Sequence, residues 1–331
     1  TYWIGRIYYT LGHMGREAAA EFEKAKEMAE AQHNEKLAAR ASTFLGRTRY
    51  FTSEFDLGIE ILEESIPELE RLGLLDEVTF SQFILASIYG WRGEFGKSYE
   101  LFEKAHELAK SIQNPDRQSH IMTYFAMVKA LQGEWAEAID LATTFEEITT
   151  KGGNFLLSNF SLATRGYATY MLGNLETGAK VVRRGIRDRR SGEVVSHFYL
   201  GAWVVECLIA EGDMDYAKEL ARIFLDVDKT GQPSGEIGIY RALAIGAAQE
   251  NPPAWDKAAE HMTASLELAE VRGARPDLAI GLFRHAELLH GKGDIPRARE
   301  QLDQASALFR EMNMTWWLEQ AEELGKSFGA G

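Results

Sequence analysis

The sequence predicts an all-α fold, a right-handed α–α superhelix of eight helical hairpins closed by a C-terminal capping helix. Three observations predict it. Small residues recur at a near-constant interval, turn residues recur just ahead of them, and the apolar residues between follow the three-and-four spacing of helices. The small residues are Ala18, Gly58, Ser98, Ala138, Gly178, Ala217, Ala258 and Ala298, at intervals of 40, 40, 40, 40, 39, 41 and 40. Five positions ahead of most of them stand Ser53, Gly93, Gly133, Gly173, Gly212, Pro253 and Gly293, with Gly12 one residue further off in the first unit.

The units fall near residues 1–33, 34–75, 76–114, 115–153, 154–192, 193–232, 233–274 and 275–312, with a cap over 313–331. In the first, Tyr2 to Tyr9 reads as helix. The second turns at Ser53, and its Pro67 is expected to kink or end a helix. The third carries Arg92-Gly93-Glu94-Phe95, then Tyr99, Phe102, Ala105, His106 and Ala109 on one helical face. The fourth opens at Asn114-Pro115, turns at Gln132-Gly133-Glu134-Trp135 and closes in the loop Lys151-Gly152-Gly153-Asn154. The fifth turns at Leu172-Gly173-Asn174-Leu175 and ends in a basic run, Arg183, Arg184, Arg187, Arg189 and Arg190. Cations there offset a helix dipole, so the run reads as a solvated outer face.

The sixth unit turns at Glu211-Gly212-Asp213-Met214, and the seventh bends at Pro252-Pro253 before Trp255. The eighth turns at Lys292-Gly293-Asp294-Ile295, where Pro296 fits a first helical turn. Its second helix repeats Ala298, Leu302, Ala305, Leu308 and Phe309. Where the turn residue is glycine, it ends the first helix in the left-handed region at no steric cost. The apolar residue two places on (Phe55, Phe95, Trp135, Leu175, Met214, Trp255 or Ile295) plugs the base of the hairpin. No hairpin buries its own stripe alone, so stability is a sum over stacked interfaces.

This pattern resembles the tetratricopeptide repeat, carried in the eighth unit by Ala286, Leu289, Gly293-Asp294-Ile295, Ala298 and Ala305. The period is 40 where the usual repeat has 34, and six further residues are worth about 9 Å of helix. Such long units look like the C-terminal sensor arrays of bacterial signalling proteins of the maltose-regulator and ATPase-linked adenylate cyclase types. The last third carries the nearest likeness: Asp256-Lys257-Ala258-Ala259-Glu260-His261, Leu266-Glu267-Leu268-Ala269, Arg297-Ala298-Arg299-Glu300-Gln301-Leu302, and Met312-Asn313-Met314-Thr315-Trp316-Trp317-Leu318-Glu319-Gln320-Ala321-Glu322. The resemblance implies a sensor's role. The start at Thr1 inside a helix, without an initiator Met, reads as a fragment whose N-terminal output domain lies elsewhere.

Composition narrows the chemistry. The 331 residues are 45% hydrophobic and 26% charged, an ordinary globular balance. A net charge of −14 disfavours direct nucleic-acid binding. The one cysteine, Cys207, excludes an intrachain disulfide and a thiolate cage, and suits a cytoplasmic setting. No apolar run is long enough to span a membrane. No phosphate loop or metal motif is present, since His285 and His290 stand five apart and off one helical face. No catalytic residue, metal or cofactor is expected.

In stacked hairpins the first helices line the inner side. Aligning them gives Tyr2, Arg6 and Tyr9; Arg40, Thr43, Arg47 and Tyr50; Phe80, Phe83, Ser87 and Trp91; His120, Thr123 and Met127; Phe160, Tyr167 and Tyr170; Tyr199, Ala202 and Glu206; Tyr240; and Phe283, Glu287 and His290. Rings with a polar handle beside arginines mark binding surfaces. The groove candidates are therefore Tyr2, Arg6, Tyr9, Arg40, Arg47, Tyr50, Phe83, Trp91, His120, Tyr167, Tyr170, Tyr199 and Tyr240. A basic, aromatic end suits an acidic peptide or an anionic small effector. The expected function is a non-catalytic interaction and sensing module, whose partner is a protein segment, an effector or its own missing domains. The rival readings are the regulatory part of an adenylate cyclase or nucleotide-hydrolysing regulator, and a free-standing scaffold.

Overall fold

A computed structural model describes residues 1–11, 15–151, 155–187, 199–228 and 235–328. Among them are seventeen helices, paired as hairpins: α1 (Tyr2–Leu11) with α2 (Gly15–Ala31), α3 (Glu35–Phe51) with α4 (Phe55–Arg71), α5 (Leu75–Trp91) with α6 (Phe95–Ser111), and α7 (Pro115–Gln132) with α8 (Trp135–Lys151). Next come α9 (Phe155–Met171) with α10 (Leu175–Arg187), α11 (Tyr199–Glu211) with α12 (Met214–Asp228), α13 (Glu236–Ala248) with α14 (Trp255–Val271), α15 (Arg275–Lys292) with α16 (Ile295–Glu311), and α17 (Thr315–Ser327) last. The described residues form an all-α superhelical solenoid.

The turns explain the period. Gly93, Gly133, Gly173, Gly212 and Gly293 have φ of 79°, 98°, 89°, 89° and 88°, and Ser53 takes 58° in the same place. A second left-handed series, which the sequence reading missed, sits at the described joints between hairpins: His33, Gly73, Gln113, Gly273 and Asn313, at φ of 53–68°. Asn34 and Asn114 cap α3 and α7 by accepting from Leu37 N at 3.2 Å and Arg117 N at 3.0 Å. Pro67 does not end its helix. It lies inside α4, which runs on to Arg71, because Leu69 beyond it is fully buried and holds the last turn in place.

Successive odd-numbered helices pack on one another, whereas successive even-numbered ones do not approach closely, so the odd helices form the inner layer. Burial follows from that. Every residue of α5 from Val78 to Trp91 is buried, while α6 buries only the stripe Phe95, Ser98, Phe102, Ala105 and Ala109. An inner helix has neighbours on several sides; an outer one needs a single apolar face. At the array's first end α1 leaves Trp3, Ile4 and Ile7 exposed.

The turn of the superhelix also closes on itself. The turn before α17 meets the turns of the third and fourth hairpins. Gln132 Nε2 donates to Asn313 O at 3.1 Å, and the Trp135 ring stands 5.2 Å from Trp316 and 5.8 Å from Trp317, edge to face. Trp135 and Trp317 are both buried.

Candidate functional site: the inner cationic–aromatic row

Rings run along the inner layer from hairpin to hairpin. Phe44 on α3 lies 6.0 Å from Tyr2 and 5.4 Å from Phe80 on α5; Phe80 meets Phe83 at 5.3 Å, and Phe83 meets Tyr124 on α7 at 5.3 Å. Guanidiniums cover this ladder. Arg6 Cζ sits 4.2 Å above Phe44, while Arg47 and Arg117 place theirs 4.5 and 4.6 Å from the Phe80 centroid. A cation over an aromatic face at that distance is attracted by the ring quadrupole. Arg117 is also held by Asp76, with Nη2 to Oδ2 at 2.8 Å and Nε to Oδ1 at 3.2 Å. Arg40 is exposed and donates to Glu77 Oε1 at 2.6 Å.

His120 sits half-buried beside this row, with Nδ1 2.9 Å from Asp116 O. Burial, reinforced by the positive charges of Arg47 and Arg117, pushes its pKa down to about 4. The unfolded chain therefore takes up the proton first. Stability is present above about pH 6.5 and is lost as pH falls toward 4. The full linkage of about 3 kcal/mol shrinks to about 2 kcal/mol once solvent at the half-buried ring is allowed for. Urea unfolding at pH 4–7 is expected to show that much less acid sensitivity in His120→Gln; identical acid limbs would refute the assignment.

The other groove candidates separate into different places. Tyr2 and Arg6 join the row, as do Arg47 and His120. Tyr50, Phe83, Trp91 and Tyr167 are buried: Trp91 Nε1 donates to Tyr50 Oη at 3.1 Å, and Tyr167 stacks flat on Trp203 at 4.9 Å. Their rings fill the space between neighbouring inner helices. Tyr240 is half-buried against His261 on α14. The side chains of Tyr9 and Tyr199 lie outside the described residues, as do Gly12, Gly152–Asn154, Arg189 and Arg190. Arg183 is paired with Glu211 and Asp213, and Arg184 with Glu146. Phe44 and Arg117 were not among the aligned inner-face residues, and Phe80, though aligned, was not among the groove candidates. Phe44 adjoins Thr43 in the sequence, and Arg117 stands one helical step of three before His120.

Tyr170 belongs to a second polar group at the other end of the inner layer. Glu206 is buried, accepts from Arg284 Nη2 at 2.8 Å and from Tyr167 Oη at 3.3 Å, while Arg284 also binds Glu287 at 2.9 Å. Burial, and then the Glu206 charge, push the Tyr170 phenol upward. Among the described residues no three His, Cys, Asp or Glu converge as metal ligands, and no helix is long and apolar enough to cross a membrane. His285 Nδ1 faces Gln301 at 3.0 Å and His290 faces the Phe328 ring. Burial raises the Cys207 thiol well above its ordinary value, opposite to what a nucleophile needs.

Inner and outer helical layers, left-handed turns and a 40-residue period define a tetratricopeptide-like repeat array. The tetratricopeptide-repeat family model matches residues 80–150. No curated protein matches the chain. Among solved structures, a Rap protein complexed with competence and sporulation factor is 12% identical, with 90% of this chain and 80% of that one covered at a TM-score of 0.66. The Rap conjugation gene regulator of plasmid pLS20, in complex with a Phr peptide, is 14% identical over 86% and 77%, at 0.68. The apo quorum sensor NprR from B. thuringiensis is 14% identical over 92% and 84%, at 0.55. At these identities the likeness is one of fold.

Proposed function

We propose that this chain is a ligand-sensing interaction module that binds an extended acidic peptide along the inner face of its first four hairpins. The observation that carries the reading is the row Arg6, Phe44, Arg47, Phe80, Arg117, with His120 beside it. Planar guanidiniums pre-set on rings lose little freedom when they bind carboxylates; Arg117 already commits its Nε and Nη2 to Asp76, so an incoming carboxylate meets its remaining Nη1. The neutral His120 ring adds a hydrogen-bonding edge. The net charge of −14 repels acidic chains at long range, so binding depends on this local patch and not on bulk attraction.

The pLS20 Rap regulator of similar fold is in complex with a peptide, which supports a peptide as the ligand class. The module itself performs no chemistry in this reading, and works in the cytoplasm; an associated domain reads its curvature, because a ligand that favours one curvature shifts the array toward it.

Polarisation of fluorescein-labelled decaglutamate tests the site. The triple variant Arg6→Ala, Arg47→Ala, Arg117→Ala is expected to bind at least tenfold more weakly, about 1.4 kcal/mol, while its helical circular dichroism is retained. Affinity equal to the unmodified protein, or no binding by either, would sink the reading. Nucleotide turnover by the purified chain above a protein-free control would contradict the non-catalytic assignment.

A further inference from the structure

Solenoid repeats normally touch only their neighbours. The described ion pairs obey that habit closely: they stay within a hairpin or join hairpins one or two apart, as Arg92 with Asp56 and Arg284 with Glu206 do. The seam at α17 breaks it, joining residues 181 apart in sequence. It is built from rings, one thioether and the Gln132–Asn313 hydrogen bond, and it continues at the joint of the seventh and eighth hairpins, where a Cβ on Gly273 would lie 3.4 Å from Arg92 Nη1 and one on Gly93 3.6 Å from Pro276 Cδ.

Two observations mark this seam as separate from the stacking interfaces. Gly93 and Gly133 are covered, while other glycines of the same turn type are not. A Cβ on Gly93 would lie 2.2 Å from Met312 Sδ, and one on Gly133 would lie 3.1 Å from Trp317 Cδ1 and 3.3 Å from Trp316 Cβ. Gly173, Gly212 and Gly293 adopt nearly the same φ with nothing within 4 Å among the described residues. Their shared conformation belongs to the turn; the extra closeness at two of them belongs to the seam. In addition, Trp135 Nε1 and Trp317 Nε1 are both buried there without an acceptor among the described residues. A buried donor left unmade weakens the closed form relative to an open one in which water reaches it.

We infer that the turn before α17 and its tryptophan pair form a latch that closes the superhelical turn, opens while the hairpins stay folded, and limits access to the inner face. The contact lies on the edges of hairpins three and four, the same hairpins that supply Phe80 and Arg117. Opening it lets the turn of the superhelix widen without unstacking any neighbour. The conformational part stands on the seam alone; only its effect on binding rests on the acidic-peptide reading.

The glycine contrast supplies the experiment. Asparagine tolerates the left-handed conformation better than other residues with a side chain, so Gly93→Asn with Gly133→Asn adds bulk at the seam without breaking the turns. Gly173→Asn with Gly293→Asn places the same residue at the same φ away from it and serves as the control. Small-angle X-ray scattering is expected to show a larger radius of gyration for the seam pair than for the control pair, at equal helical circular dichroism. Decaglutamate is expected to bind the seam pair at least tenfold more tightly than the control. Equal radii would overturn the latch, and so would loss of helix in the seam pair alone, because the seam would then be part of the folding core. A larger radius with unchanged affinity would overturn its control of access. Absence of decaglutamate binding by every protein would remove the peptide reading and the access claim, while the radii would still decide the latch.

Discussion

Replacing Asp277 by alanine is expected to remove about 3–5 kcal/mol from the unfolding free energy. Asp277 lies in the first turn of α15 and Arg241 on α13; their side chains are 3% and 2% exposed, with Nη1 2.9 Å from Oδ1. The pair joins the seventh hairpin to the eighth. Without the carboxylate, a guanidinium remains in the interior with its desolvation uncompensated. Arg275 and Glu311 have the same separation of 36 residues but are exposed, so Glu311→Ala should cost less than about 1 kcal/mol. The double change Arg241→Met, Asp277→Leu is expected to recover most of the loss, because a buried pair does little more than offset its own desolvation. Urea unfolding of these four proteins decides it. A loss under about 1 kcal/mol for Asp277→Ala alone would mean that water reaches the pair and that the eighth hairpin is looser than the packing shows.

The same hairpin shows what the sequence could and could not reveal. Its turn at Gly293, plug at Ile295 and anchor at Ala298 were readable because each recurs about every 40 residues with the same chemistry. The joining turns were not, since His33, Gly73, Gln113, Gly273 and Asn313 share a backbone conformation but no single residue type. Inner-face periodicity put Arg6, Arg47 and His120 in the alignment, and the structure sets them beside the Phe44–Phe80–Phe83 rings. It failed to separate them from Tyr50, Phe83, Trp91 and Tyr167, because an inner helix is covered on several sides and a face has no single buried stripe. The seam left less trace still. Gly93 and Gly133 read like every other turn glycine, and what covers them depends on the pitch of the superhelix, a sum of small rotations that no local pattern records.

Gly178→Val is expected to cost about 3 kcal/mol or more, at the upper end of overpacking losses, because backbone and not side chain stands in the way. A Cβ built on Gly178 lies 2.7 Å from Gly166 O, 2.8 Å from Tyr170 N and 2.9 Å from Tyr170 Cβ. Twelve residues before each anchor of the later hairpins stand Gly46, Ala86, Ala126, Gly166, Val205, Gly246 and Ala286. These are the surfaces on which the outer helices rest, and all but Val205 are small. Where glycine faces glycine, the helices could come closest. Yet Gly58 opposite Gly46 differs from Gly178: its Cβ would meet Ile88 Cδ1 at 2.9 Å, the end of a flexible chain, and Gly46 O only at 3.5 Å. Gly58→Ala should therefore change stability by less than about 1 kcal/mol, helped by the lower entropy of the unfolded chain, whereas Gly178→Ala should already destabilise. The local consequence in Gly178→Val is specific. Pushing α10 away from α9 moves Tyr167 off the Trp203 ring on which it lies flat, and with it the hydroxyl that donates to Glu206. Near-UV circular dichroism should lose the signal of that stacked pair while the far-UV spectrum keeps its helix. A Gly178→Val protein within about 1 kcal/mol of the unmodified chain would show that the hairpin can splay at this point, and that the small-residue anchors are set by something other than the distance between the two layers.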